Sequence, residues 1–141
     1  MKIYLAASLS NDKREDLWKA VEILRKSDHD VYVPLEHTIP NAWDYPNDEW
    51  GLMVFTEDIA AIQDSDTVVL LSYGRLSTAG ANWEAGFAYG IGKKVIVVEM
   101  TSEVMSLMVA NGRYATVRGL EGLEKYDWND MPKSRTCTEQ K

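Results

Sequence analysis

DIAAIQDSDTVVLLSYGRLSTAGANWEAGFAYGIGKKVIVVE, residues 58–99, is the stretch that decides the fold. Asp66 to Tyr73 is a near-continuous apolar run of strand-forming residues, and Lys94 to Glu99 is a second one. Between them lie a glycine-rich turn and a helical segment. A strand, loop, helix, strand unit puts its loop and its helix N-terminus at the carboxyl end of a buried parallel sheet, where open α/β folds bind ligands. Glu84, inside GANWEAGFAYG, is expected in the first turn or so of that helix, facing what the loop holds. There the helix dipole helps a carboxylate stay ionised, and an ionised carboxylate can attack a sugar carbon. The same position equally suits a carboxylate that only stabilises the helix start. Glu84 alone does not choose between the two.

Outward from this unit the same alternation continues. Lys2 to Ala7 reads as a first buried strand, and Ser10 or Asn11 offers an N-cap for a helix running to about Lys26. Leu17, Val21 and Leu24, with Trp18, Ala20 and Ile23 beside them, fall at helical spacing, so this helix is expected to pack on the sheet with Trp18 in the core. Asp30 to Pro34 is a short second strand. Residues 35–49 are irregular, and a loop of this length in a compact domain is usually functional or mobile. Its Trp43 and Tyr45 either stack on a flat ligand or cover the sheet edge. A helix follows from Trp50 to Gln63, carrying Asp58. After the second apolar run, Thr101 to Leu107 reads as a short helix capped by Thr101 or Ser102, with Glu103 in its first turn. Tyr114 to Val117 is a fifth strand and Leu120 to Tyr126 a last helix. The fold class is α/β: a doubly wound, flavodoxin-like or Rossmann-like sandwich around a parallel sheet of about five strands. One domain over 1–128 and a flexible polar tail over 129–141 are expected.

Composition narrows the function. A formal net charge of -7 argues against nucleic-acid backbones and anionic membranes as partners, because the protein's own field would repel them. No apolar run approaches the roughly 18 residues that a membrane span needs. The single cysteine, Cys137, leaves no intrachain disulfide and fits a reducing, cytoplasmic setting.

Several chemistries fail on their spacing. A P-loop would need glycine five residues before Gly92, where Phe87 stands, and Lys93 is followed by Lys94 rather than Ser or Thr. The first strand leads into AASLSN, which lacks the glycines of a dinucleotide fingerprint. His29 and His37 have no Cys or His nearby in sequence, so no metal site and no cofactor are expected; His29, between Asp28 and Asp30, reads as a solvated turn residue. What remains is carboxylate chemistry. Asp66 opens its strand at the end away from the ligand crevice and reads as structural, whereas Asp58 and Glu84 remain candidates.

MKIYLAAS at the N-terminus, the D-x-x-x-I-x-x-x-D run from Asp58 to Asp66, and STAGANWEAGFA ahead of GKKVIVV resemble the nucleoside 2-deoxyribosyltransferase family over about residues 1–125. The resemblance implies a double displacement. A glutamate attacks the anomeric carbon of a 2'-deoxynucleoside, the base leaves, and a second base takes the sugar from the glutamyl ester. By position Glu84 is that nucleophile, Tyr4 orients it, and Asp58 handles the proton of the departing and arriving base. Substrate contacts are implied for Ala6, Ser8, Trp50, Thr78, Gly80, Ala81, Ser106 and Met108, with Met108 reaching a neighbouring subunit's site in a homodimer or homohexamer. Nucleosides and nucleobases, or nucleoside monophosphates, are the implied small-molecule partners.

Two positions depart from the family pattern. Thr78 stands where many of these transferases carry Asp, and Ser106 stands where they often carry Asn. A hydroxyl at Thr78 resembles the related nucleotide N-glycosidases, in which a loop serine helps to hold a 5'-phosphate. The alternative expectation is therefore hydrolysis of (deoxy)nucleoside 5'-monophosphates to base and sugar phosphate, with Ser77, Thr78 and Ser8 around the phosphate.

Overall fold

A computed structural model describes residues 1–75 and 78–134. Five parallel strands form one sheet in the order β2-β1-β3-β4-β5. They are β1 (Lys2–Ala6), β2 (Asp30–Tyr32), β3 (Thr67–Ser72), β4 (Lys94–Glu99) and β5 (Ala115–Arg118). All six residues of β3 are buried, as a central strand covered on both faces requires. The helices that cover it are α1 (Arg14–Lys26), α2 (Asn47–Asp64), α3 (Ala79–Gly90), α4 (Leu107–Gly112) and α5 (Gly119–Lys125).

Strand alternation divides the core in two. Ile3, Leu5, Val69, Leu71, Ile96 and Val98 face Leu17, Val21 and Leu24 of α1 and Leu123 of α5. Tyr4, Ala6, Val68, Leu70, Val95 and Val97 face Ile62 of α2 and Ala81, Ala85 and Ala88 of α3. The sheet-facing stripe of α3 is therefore all alanine, which lets this helix lie close to the strands. Connections run one way from β1 to β2, then cross β1 to reach β3. The resulting switch point opens a crevice at the carboxyl ends of β1 and β3.

Several local expectations are corrected. Trp18 is not core: it lies one residue round α1 from Leu17 and is 41% exposed. Ser10 caps nothing through its side chain; its hydroxyl donates to Asp12 Oδ1 at 2.7 Å, and a 3-10 turn over Asn11–Lys13 precedes α1. The helix expected from Trp50 starts at Asn47, with Asp48 and Glu49 favourably placed in its first turn. The short helix expected over Thr101–Leu107 is displaced, because Ser106 supplies the better cap: its Oγ accepts from Val109 N at 3.2 Å and α4 follows. Trp43 is fully exposed and covers no sheet edge.

The end of the chain also differs. Beyond Trp128 the chain lies along the outer edge of β5: Thr116 N donates to Ser134 O at 2.8 Å, Tyr114 Oη to Met131 O at 2.7 Å and Tyr126 Oη to Pro132 O at 3.0 Å. Residues 129–134, expected as tail, thus satisfy backbone groups of an edge strand. Residues 135–141, with Cys137, lie outside the described residues. His29 is not solvated as expected: its ring meets the edge of Trp128 at 4.8 Å and its Nε2 is buried. Among the described residues, no helix is long and apolar enough to cross a membrane.

One glycine is required by its surroundings. Gly74, which follows β3, has φ +91°, and a Cβ there would come within 2.7 Å of Glu103 Cβ. Gly74→Ala is expected to lower stability by about 1–3 kcal/mol. Thermal melting should show Glu103→Gly restoring part of the loss in the double variant, since it removes both the Cβ and the carboxylate that the new methyl would meet but not the backbone strain. A single Gly74→Ala variant that melts like the parent would remove both causes.

Candidate active site

Tyr4 occupies the middle of β1 and is fully buried. Its ring points to the α2/α3 face of the sheet, where the close approach of α3 brings Glu84 within reach. The Tyr4 hydroxyl donates to Glu84 Oε2. Burial, and then the charge of Glu84, push the phenol far above its ordinary range, so Tyr4 remains a donor through neutral pH. Oε1 of Glu84 is left for other work.

Glu84 is not in the first turn of its helix. The helix starts at Ala79, so Glu84 sits in the second turn, beyond the strongest effect of the dipole. Its electrostatics differ accordingly from the expectation that the dipole keeps it ionised. Burial is the largest effect and pushes the carboxyl up to about 7, the Tyr4 hydrogen bond pulls it down, and the charge of Asp58 pushes it up again. Asp58, half-buried in α2, is itself pushed up to about 6, first by burial and then by Glu57, with His37 drawing it down. Two interacting carboxyls with raised and overlapping titrations tend to hold one proton between them.

The remaining expected residues divide by position. Trp50 is part-exposed near the start of α2. Thr78 is the N-cap of α3, but its side chain makes no capping hydrogen bond, and Gly80 has open space where a Cβ would be. Ala6 and Ala81 point into the core, so only their backbone is available to a ligand. The Ser8 hydroxyl is 2.9 Å from that of Ser10. Ser77 lies outside the described residues. Ser106 caps α4, and Met108, 83% exposed, does not reach the Glu84 side of its own subunit. Both line a cavity of about 580 Å³ between α3 and α4, with Asn82, Trp83 and Tyr89. Tyr4, Asp58 and Glu84 do not line it, so this cavity is not where the acids are. Asp66 is at the opposite end of the sheet, its carboxylate accepting from Lys2 N at 2.8 Å. No group of three or more His, Cys, Asp or Glu that could hold a metal ion occurs among the described residues.

Two aromatic residues that sequence reasoning passed over join this group. Tyr32 pairs in register with Tyr4 across the parallel strands, and their rings stack at 5.5 Å. His37 stacks on Tyr32 at 4.1 Å with the planes 5° apart. The second-strand pattern D-V-Y-V, laid beside K-I-Y-L, held the signal for Tyr32. Nothing local in the sequence held one for His37.

A family model described as nucleoside 2-deoxyribosyltransferase matches residues 3–125. A 2-deoxyribosyltransferase from the psychrotolerant bacterium Bacillus psychrosaccharolyticus has a similar structure, with 29% identity and a TM-score of 0.87 over 95% of this chain and 98% of that one. A conserved protein from Enterococcus faecalis V583 is similar at 27% identity and a TM-score of 0.55, over 70% of this chain and 62% of that one. The CMP N-glycosidase BcmB of Clostridium botulinum shares the fold at 19% identity and a TM-score of 0.50, over 70% of this chain and 71% of that one. No curated protein matches significantly.

The raised titration of Glu84 makes a stability prediction. Its folded pKa lies above the ordinary carboxylate value of 4.5, so stability falls as pH rises from there and the penalty is complete above about 7. Glu84→Gln keeps a side chain that can accept from Tyr4 and removes the buried charge. It should melt a few degrees higher than the parent at pH 8, with the gain gone near pH 4.5, where both are neutral. An equal or lower melting temperature at pH 8 would contradict this account of Glu84.

Proposed function

The chain belongs to the nucleoside 2-deoxyribosyltransferase family, and on that premise we propose that it moves 2-deoxyribose between nucleobases through an ester on Glu84. The observation that carries this reading is the part-buried Tyr4–Glu84 hydrogen bond beside a second raised carboxyl, Asp58. Retaining glycosyl transfer needs one carboxylate as nucleophile and a proton donor close by. In the first half-reaction Glu84 Oε1 attacks C1', the C1'–N bond breaks with its electron pair on the base, and Asp58 gives the base a proton. In the second half-reaction the nitrogen of a new base attacks C1', its proton passes to Asp58, and Glu84 departs as carboxylate. Deoxyribose lacks the 2'-hydroxyl, which eases its oxocarbenium-like transition state.

Tyr4 serves both halves. Bonded to Oε2, it fixes the rotamer that points Oε1 at the sugar, and it stabilises the carboxylate that leaves in the second step. Thr78, Gly80 and Trp50 border the path to Glu84 in this reading, and Ser8 and the backbone of Ala6 and Ala81 complete the sugar side. The exposed Leu107 and Met108 at the start of α4 support an assembly, dimer or hexamer, in which Met108 closes a neighbour's site. A reducing cytoplasm suits the lone Cys137 and small nucleoside substrates.

A second reading rests on Thr78. Its hydroxyl is not used as a cap, so it and the first-turn N–H groups of α3 are free for an anion such as a 5'-phosphate. The same Glu84 would then pass the sugar phosphate to water, giving base and sugar phosphate.

Chromatography separates the two. Thymidine with adenine should yield deoxyadenosine only when adenine is present, and Glu84→Ala should yield none. Free thymine from thymidine 5'-monophosphate alone, with thymidine untouched, would instead establish the glycosidase. The pH profile should be bell-shaped, because transfer needs Glu84 ionised and Asp58 protonated. The singly protonated pair is most abundant between about 6 and about 7, and the form with its proton on Asp58, a minority because Glu84 is the higher of the two, follows the same pH course, so kcat/KM should peak there and fall on both sides.

The neighbour's contribution is read from mass. Activity should fall on dilution in step with the loss of assembly by light scattering, and Met108→Ala should weaken substrate binding without unfolding the chain. Full activity in a proven monomer would dismiss the shared site.

A further inference from the structure

We propose that Tyr32 and His37 form a polar wall that reads the edge of the nucleobase next to the atom protonated by Asp58. The inference rests on the deoxyribosyl-transfer reading and assigns its base specificity. Three parallel rings run outward from the nucleophile: buried Tyr4, half-buried Tyr32 and exposed His37. The first two are register partners in adjacent strands, stacked at 5.5 Å and 12°, and the third lies on Tyr32 at 4.1 Å and 5°. The column is therefore anchored in the sheet at its inner end.

Its outer end is anchored too. His37 closes the 3-10 turn Pro34–Glu36, with its N–H donating to Pro34 O at 3.1 Å. The turn is clamped by Arg25, which donates to both carboxylate oxygens of Glu36 and to Val31 O. A guanidinium fork on a carboxylate fixes orientation as well as distance. The imidazole is thus held in place before any ligand arrives.

The hydrogen-bonding groups of the two outer rings are unused. Among the described residues, neither the Tyr32 hydroxyl nor either ring nitrogen of His37 has a hydrogen-bond partner. Both lie within electrostatic reach of the acids. Tyr32 is pushed up by burial and then by the charges of Asp58, Glu57 and Glu84, and His37 is near enough to draw Asp58 down. A base positioned to take a proton from Asp58 would have its neighbouring ring edge against these two groups. A phenol and an imidazole can each donate or accept, so they can answer an amino or a keto substituent. The wall would therefore sort bases by that substituent, while Glu84 and Tyr4 deal with the sugar common to all of them.

The test replaces polarity and keeps the rings. Tyr32→Phe and His37→Phe preserve the stack, and each is assayed with pairs differing by one substituent: deoxyadenosine against deoxyinosine, and deoxycytidine against deoxyuridine. At least one pair should change its kcat/KM ratio by about fivefold or more in each variant. The same ratios are read by calorimetry in a Glu84→Ala background, where no turnover is needed. A uniform loss across all four nucleosides, or binding ratios unchanged within twofold, would overturn the base wall. If the parent protein cleaves no nucleoside or nucleotide, the transfer reading fails, and the calorimetric ratios still decide the wall. Absence of all nucleoside binding would overturn the wall as well.

Discussion

The site depends on one part-buried hydrogen bond, from the hydroxyl of Tyr4 to the carboxylate of Glu84, made between residues 80 apart in sequence. It forms because α3 lies low on the sheet, and α3 lies low because Ala81, Ala85 and Ala88 are all that separate it from the strands. Larger side chains on that stripe would lift the helix and carry Glu84 away from the tyrosine. Packing of the most ordinary kind therefore sets the position of the reactive group. The same closeness removes water from the carboxylate, and that is why its titration is raised.

Burying two carboxyls side by side has a cost and a use. Each resists ionising, Glu84 up to about 7 and Asp58 up to about 6, so near neutrality they retain a proton between them. The shared proton rests more often on Glu84, the higher of the two, so the form with Glu84 ionised and Asp58 protonated is the minority one. The burial that costs stability at alkaline pH thus also keeps a proton in the site close to neutral pH. Hydrogen bonding by Tyr4 tempers the penalty on Glu84 and keeps its carboxyl ionisable.

The outer face of α2, α3 and α4 is the least protein-like part of the subunit. Phe55, Trp83, Tyr89, Leu107 and Met108 are all at least half exposed, and Phe55, Trp83 and Phe87 form a continuous aromatic run. Contiguous exposed apolar side chains of this kind are what an interaction surface presents. On the opposite side of the Glu84 helix, the column of Tyr4, Tyr32 and His37 is polar at its open end. The helix that carries Glu84 thus separates an apolar face from a hydrogen-bonding one.

The sequence by itself determined the alternation of strands and helices, the parallel sheet of five strands, and the three residues Tyr4, Asp58 and Glu84 on which the chemistry is read. Those features follow from apolar runs, glycine placement and a family motif, all of which are local in the chain. It also misled in places. Trp18 was expected in the core, but a helix offers its neighbours Leu17 and Val21 to the sheet first, and only one stripe can be buried. The helix after β4 was displaced because the competition between Thr101, Ser102 and Ser106 as caps depends on where the preceding loop ends in space. Tertiary structure alone decided that Glu84 is buried in the second turn rather than held at the helix dipole, and that Tyr32 and His37 stack outward from Tyr4. Dielectric surroundings and cross-strand register are properties of residues distant in sequence, so no local pattern could have carried them.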